Sequence, residues 1–238
     1  MNIKIATLTD IGGRSNNDDT VAKREKDKCA WVFVGDGLGG YAGGQMASEA
    51  AAQALMEATH KGSLLTDERL QEAAAQANEA VRQVQAAKGG KMKTTLVFLA
   101  IEDGRARWMH VGDSRLYHFR DGYLQTQTMD HSVSQMAVLM GEITPREIRF
   151  HEDRNRVLRA LGGDNARPEL SHTVMLTGGE DAFLLCTDGF WEYVFEEEME
   201  GLLQRAASPE QWLEEMQTLL RTRIPDDNDN FTAAAVFC

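Results

Sequence analysis

Three apolar runs in this chain end alike, with one aspartate among small residues. Trp31-Val32-Phe33-Val34 leads into Gly35-Asp36-Gly37, Trp108-Met109-His110-Val111 into Gly112-Asp113-Ser114, and Phe183-Leu184-Leu185-Cys186 into Thr187-Asp188-Gly189. A single Asp-Gly step after a strand is ordinary turn chemistry. Three strand-end aspartates among small residues, each behind a run apolar enough to be buried, point to carboxylates converging on one site. A carboxylate flanked by glycine can approach a cation closely, because nothing bulky surrounds it.

Two more acidic segments accompany them. Arg14-Ser15-Asn16-Asn17-Asp18-Asp19 follows the first β-type run, and Asp226-Asp227-Asn228-Asp229-Asn230 precedes the last. Alone, both read as solvated loops. Gathered beside the strand-end aspartates, they would crowd like charges and raise one another's pKa values, and bound cations would relieve that repulsion. Oxygen-only donors favour Mg²⁺ or Mn²⁺, whereas zinc would want His or Cys. The six histidines and three cysteines form no His-x-His, His-Glu-x-x-His or Cys-x-x-Cys pattern. Two hard cations sharing carboxylates, about 3.5–4 Å apart, would clamp a phosphoryl group and activate a bridging water. Arg14 is the candidate to hold phosphate, since its planar fork matches two oxygens; the plainer alternative is a surface salt bridge to Asp18 or Asp19.

The elements that must position these residues are legible too. Short β-type runs occupy Ile3–Leu8, Ala30–Val34, Thr95–Ile101, Ala106–Val111, Arg115–Arg120, Ala182–Cys186 and Phe231–Phe237. Asp103-Gly104 and Asp121-Gly122 are hairpin punctuation, so Thr95 to Gln127 reads as one antiparallel meander. Helical composition spans Gly44 to Thr59 and Asp67 to Ala87, the second ending at Gly89-Gly90. The last helix opens at Ser208-Pro209-Glu210-Gln211, a capping-box pattern, and repeats Trp212, Leu213, Met216, Leu219 and Leu220 at helical spacing. Strands grouped in meanders with helices clustered between them favour α+β over a regular βαβ alternation.

Length and charge narrow the field. At 238 residues, with no repeat or Pro/Ser-rich linker, the chain suits one domain. A net charge of −12 argues against nucleic acid and anionic membrane surfaces as partners. Cys29, Cys186 and Cys238 read as small buried hydrophobes of a reducing compartment. No long apolar stretch follows Met1 and none approaches a membrane span, so a cytoplasmic location is the expectation. Gly35-x-Gly37-x-x-Gly40 fits the dinucleotide fingerprint literally, but Asp36 would face the pyrophosphate and no second parallel strand follows. A cysteine phosphatase would need arginine at the sixth position after its cysteine, where Cys29 has Gly35 and Cys186 has Glu192. No Walker loop and no Gly-x-Ser-x-Gly elbow occurs. Metal-activated water is the chemistry that remains.

In order along the chain, these residues resemble the metal-dependent serine/threonine protein phosphatases of type 2C in their compact bacterial form. Gly13-Arg14-Ser15-Asn16-Asn17-Asp18-Asp19 is similar to the family's first motif, and Asp36-Gly37-Leu38-Gly39-Gly40-Tyr41 to its second. Thr94-Thr95-Leu96, Val111-Gly112-Asp113-Ser114-Arg115, Asp130-His131-Ser132, Asn155 to Gly162, Thr187-Asp188-Gly189 and Asp229-Asn230-Phe231-Thr232 follow in family order. Each motif alone is weak, and the ordered set is specific.

The resemblance implies an α+β fold: a central antiparallel β-sandwich flanked by helix pairs, in α-β-β-α layers, as a single domain over 1–238. It implies hydrolysis of phosphoserine and phosphothreonine on proteins, reversing serine/threonine kinase signalling, with a kinase or its targets among the partners. Two Mn²⁺ or Mg²⁺ ions are implied. Asp36 would bridge both and the Gly37 carbonyl would bind one; Asp188 and Asp229 would hold the second, and Asp18 and Asp19 would contact it directly or through water. Asp113, with Asp188, would serve a third, weaker ion, Arg14 would bind phosphate, and residues 130–163 would form a flap that selects substrate. Two positions depart from the family pattern. Asp18 stands where glutamate is usual, and Tyr41 where the second motif ends in histidine, which leaves the proton donor for the leaving alkoxide unassigned. The rival reading is a pseudophosphatase that uses the fold as a regulatory binding module. Missing metal ligands would favour it, and none is missing.

Overall fold

Runs that are apolar at nearly every position need cover on both faces, and the fold supplies it. The computed structural model describes residues 2–39 and 43–238. Its strands are β1 (Lys4–Asp10), β2 (Thr20–Lys26), β3 (Cys29–Gly35), β4 (Gly37–Leu38), β5 (Lys93–Thr94), β6 (Leu96–Glu102) and β7 (Arg105–Val111). They continue as β8 (Arg115–Arg120), β9 (Tyr123–Gln127), β10 (Glu169–Leu170), β11 (Val174–Met175), β12 (Asp181–Cys186) and β13 (Phe231–Phe237). The helices are α1 (Gly43–Ala58), α2 (Asp67–Lys88), α3 (Val133–Leu139), α4 (Asp188–Trp191), α5 (Glu196–Leu203) and α6 (Pro209–Arg221).

Two antiparallel sheets face each other. One runs β1-β13-β12-β8-β9 and the other β10-β7-β6-β3-β2, with β11 also on β7. Period-2 alternation sorts each strand between two cores. In β3, Val32 and Val34 point between the sheets with Val97, Leu99, Phe183, Leu185 and Val236. Trp31 and Phe33 point outward against the small residues of α1 and α2, including Ala47, Ala51, Ala73 and Ala77. On the other side Leu184, Ala233 and Ala235 meet Trp212, Leu213 and Met216 of α6. These are the α-β-β-α layers that the resemblance implied. Among the described residues no helix is long and apolar enough to cross a membrane.

Local chemistry agrees at most element ends. Asp103-Gly104 and Asp121-Gly122 have positive φ at both positions, as two-residue hairpins require. Thr66 caps α2 by accepting from the Arg69 amide, and Gly89 ends it at φ 73°. Ser208 caps α6, but Gln211 takes the amide of Ala207 rather than of Ser208, so the reciprocal box is displaced by one residue. Cys186 and Cys238 are buried, Cys29 is half-buried, and all three are free thiols.

One expectation needs correction. The Thr95–Gln127 meander is two hairpins in different sheets: β6–β7 belongs to one and β8–β9 to the other. The chain crosses between sheets at Gly112, whose φ of 107° few other residues adopt. Strand β2 is new. It is an edge strand of Thr20-Val21-Ala22-Lys23-Arg24-Glu25-Lys26, whose charges keep the edge soluble and hide it from an apolar pattern.

The layering predicts unequal costs of truncation. Leu184→Ala, at a side chain with no exposed surface, should lose about 2–5 kcal/mol in urea unfolding. Tyr123→Ala, at a residue 59% exposed, should stay within about 0.5 kcal/mol of the parent.

Candidate active site

Every strand-end aspartate lies at the same end of the sandwich. Asp36 follows β3, Asp113 lies at the β7–β8 crossing, Asp188 opens α4 behind β12, and Asp229 precedes β13. The β1–β2 loop brings Asp18 and Asp19 to them. A cleft of about 340 Å³ is lined by Arg14, Asp18, Asp36, Gly37, Asp229 and Asn230. A second hollow of about 210 Å³ is lined by Arg14, Arg154, Asn155, Asp188, Glu192 and Asp229. Arg14 and Asp229 border both, so their ion pair stands between two halves of one site.

Close packing aims the loops. The amide of Gly37 donates to Asp18 O at 3.1 Å, and a Cβ on Gly37 would overlap the carbonyl of Gly44 at the start of α1. Asn230 takes the Asp18 amide at 2.8 Å, and Ser48 donates to Asp18 O at 2.7 Å. Thr95 joins the sheets: its amide donates to Asp36 O and its hydroxyl accepts from the Asp36 amide, both at 2.8 Å. The same hydroxyl meets Ser114 Oγ at 2.7 Å.

Asp18 and Asp19, adjacent in sequence, do different things. Asp18 faces the cleft, with one oxygen accepting the Gln45 amide at 3.2 Å. Asp19 is buried and accepts from the hydroxyl of Thr187 at 2.9 Å. Arg14 pairs with neither. Its Nε and Nη2 donate to both oxygens of Asp229 at 3.1 and 3.0 Å, so the salt bridge of the plainer alternative forms with a different partner. Tyr41 and Gly40 lie outside the described residues. Thr187, Asn230, Thr95 and Ser48 sit inside or beside the motifs, but nothing local to them indicated which aspartate each would serve.

Electrostatics explain the strain of this assembly. Burial, then the charges of Asp188, Asp19, Asp113 and Asp229, hold the Asp36 carboxyl well above the ordinary range. Asp188 is raised well above it too, by burial and then by Asp113, Glu192 and Asp229. Burial first pushes Asp19 and Asp113 each up to about 7, with Asp130 adding to the shift at Asp113. Asp113 is 2% exposed and, among the described residues, its buried Oδ1 has no hydrogen-bond partner. A buried anionic oxygen left unpaired is a costly arrangement unless a cation completes it. Oxygen-only donors, converging carboxylates and that orphan atom fit hard divalent cations.

The chain is similar to known proteins over most of its length. The family model described as "Protein phosphatase 2C" matches residues 10–228. The chain is 33% identical over 231 residues to the serine/threonine protein phosphatase PstP of Mycobacterium tuberculosis, covering 94% of this chain and 43% of that relative. It thus spans under half of that relative's length. Protein phosphatase PhpP of Streptococcus pneumoniae is 29% identical over 245 residues, covering 98% of this chain and 97% of its own. The crystal structure of the PstP catalytic domain in complex with two manganese ions superimposes with a TM-score of 0.83 at 31% identity, covering 99% of this chain and 97% of that one.

The raised carboxyls dictate a pH response. Asp19 and Asp113 bind protons more tightly folded than unfolded. The stability they contribute is fully present below the ordinary value of 3.8 and is lost as pH rises through about 7. Glu196 and Glu198, held below their ordinary 4.5, and His110, His118 and His131, held below their ordinary 6.5 by burial, set the opposite trend on the acid side of about pH 6.5. In chelator, the melting temperature should fall by several degrees from about pH 6.5 to about pH 8. Asp113→Asn should flatten that slope and melt higher than the parent at the alkaline end, as read by calorimetry.

Proposed function

The chain belongs to the protein phosphatase 2C family, and from that premise we propose that it hydrolyses phosphoserine and phosphothreonine on proteins at the carboxylate cleft. The observation that carries this reading is the convergence of buried, mutually repelling aspartates around a carboxylate oxygen with no partner. Asp36, Asp188, Asp229 and the Gly37 carbonyl would hold two divalent cations, Mn²⁺ or Mg²⁺. Asp18 would contact one of them across the cleft, and Asp19 would act from behind through Thr187. Asp113, with Asp188, would take a third, weaker ion. Cations so held would lower the pKa of a water and offset the charge of the phosphoryl group.

The remaining duties fall to protein groups. The guanidinium of Arg14 is half exposed and bidentate on Asp229. A phosphate presents the same pair of oxygens, so Arg14 can exchange one anion for the other without reorganising the core. Burial pushes the Cys186 thiol far up and Cys238 up to about 12, so neither offers a thiolate nucleophile.

We propose residues 1–238 as one phosphatase domain with a flap at 130–163. Arg154 and Asn155 of that segment line the hollow beside Asp188. Its ends are tied down, by Arg115 on Asp130 and by paired Thr94 and Leu161. Met136, Leu139, Met140 and Phe150 are exposed along it, apolar surface for a phosphoprotein to meet. Substrates would include targets of a serine/threonine kinase, in the cytoplasm.

A phosphothreonine peptide tests the reading. Phosphate release should require Mn²⁺ or Mg²⁺, stop in chelator, and survive thiol alkylation. Asp36→Asn should lose roughly 10²–10³-fold in kcat, the scale of several kcal/mol of charge stabilisation. Arg14→Lys, which keeps the charge but not the fork, should raise KM about tenfold. Release that persists in chelator, or none with either metal, would overturn the proposal.

A further inference from the structure

Outside the cleft, His110, His131 and Glu169 bring their ligand atoms within 4.8 Å of one another. The two imidazoles stack with centroids 4.7 Å apart and planes 9° from parallel. Two histidines and a carboxylate suit a transition metal by composition, yet the hydrogen bonds place the protons against it. The Gly112 amide donates to His131 Nδ1 at 3.1 Å, so that nitrogen carries the lone pair. The proton therefore sits on Nε2, facing Glu169 Oε2 at 3.4 Å. His110 Nε2 lies 2.8 Å from the carbonyl of Met129, which only accepts, so this nitrogen is protonated as well. Moving the His131 proton to Nδ1 would set it against the Gly112 N–H.

We infer that His131 is a positioning residue for the Asp113 carboxylate, acting through Gly112. The His131 amide donates to Gly112 O at 2.8 Å while its ring accepts from Gly112 N, so two hydrogen bonds clasp one glycine. That glycine is the left-handed residue where the chain changes sheets, directly before Asp113. On the other side, Trp191 Nε1 donates to Asp113 O at 2.9 Å, and Ser114 Oγ meets Thr95. The main chain around Asp113 is thus held on both flanks, and its Oδ1 is aimed with no hydrogen-bond partner among the described residues. Glu169 sits opposite His110 in the β10–β7 ladder and so refers the imidazole to the sheet. Burial keeps the ring neutral, which preserves the Nδ1 lone pair.

The inference rests on the proposed role of Asp113 as a cation ligand, and paired variants separate the two. His131→Asn sets an amide oxygen near Nδ1 and keeps an acceptor for Gly112, whereas His131→Gln sets it near Nε2 and loses that acceptor. Gly112 amide exchange is followed by NMR in metal-free protein, Mn²⁺ binding by electron paramagnetic resonance, and kcat and KM on a phosphothreonine peptide. With His131→Gln, Gly112 should lose protection, the weakest Mn²⁺ affinity should fall about 10–100-fold, and kcat should drop with KM unchanged. His131→Asn should keep all three within about threefold of the parent. Should His131→Gln fail to fold, Glu169→Ala at an exposed side chain should show the kcat loss in milder form. Equal Gly112 protection in both variants, or equal losses in both, would overturn the inference. A parent protein that binds no Mn²⁺ would defeat the cation reading alone, because Gly112 exchange still decides what His131 holds.

Discussion

Like charges held close in a poorly solvated place are the constraint around which this protein is arranged. Asp19, Asp36, Asp113 and Asp188 are each raised first by burial and then by neighbouring carboxylates: Asp36 and Asp188 by other members of this set, Asp19 by Asp229, and Asp113 by Asp130 and Glu192. Left to a flexible chain, such groups would separate into water, since nothing in their own chemistry holds them together. They stay together because each is attached to an element whose position is set by packing elsewhere. The cost of gathering the anions is met by cores that lie well away from them.

The sandwich suits that task because its sheets are rigid and covered on both faces. Strands β3, β12 and β13 contribute side chains to the shared core and to an outer one, so none can slide without disturbing two layers. A shift of one residue would exchange the two faces of a strand. The aspartates therefore inherit their positions from residues such as Val34, Leu185 and Ala234. Thr95 then joins the sheets at the site itself, bonded to Asp36 on one side and Ser114 on the other.

A second buried network stands behind the first. Arg115 is enclosed, bidentate on Asp130 at 2.8 Å for both bonds, with its guanidinium carbon 3.4 Å from the centre of the Trp191 ring. Arg149 donates to Trp191 O and to Glu196. Breaking one partner of such a cluster leaves a buried charge unmatched. The segment after Asp130 is thereby fastened to α4, whose tryptophan also holds the carbonyl of Asp113. Support for the cleft and anchoring of the segment after Asp130 use the same residues.

Much of this was legible one residue at a time. Apolar runs ending in Gly-Asp or Thr-Asp, the alanine-rich helices and the Asp-Gly hairpins are local patterns, and local sterics and burial determine them whatever surrounds them. The ordered motifs likewise named the cleft's aspartates. Periodicity reports that a strand is buried but not which sheet buries it, which is why β7 and β8 read as neighbours although they lie in different sheets. The charged edge strand β2 carried no apolar signal at all. The plainer alternative for Arg14 pairs it with the acids nearest in sequence, yet it bonds Asp229, 215 residues away. Asp18 and Asp19 looked interchangeable until burial of one and not the other divided them. Residue type and spacing determined which groups can bind a hard cation and which elements carry them. Only the tertiary structure decided which carboxylates share charge and which polar atoms hold them, because those contacts join segments that the chain itself keeps far apart.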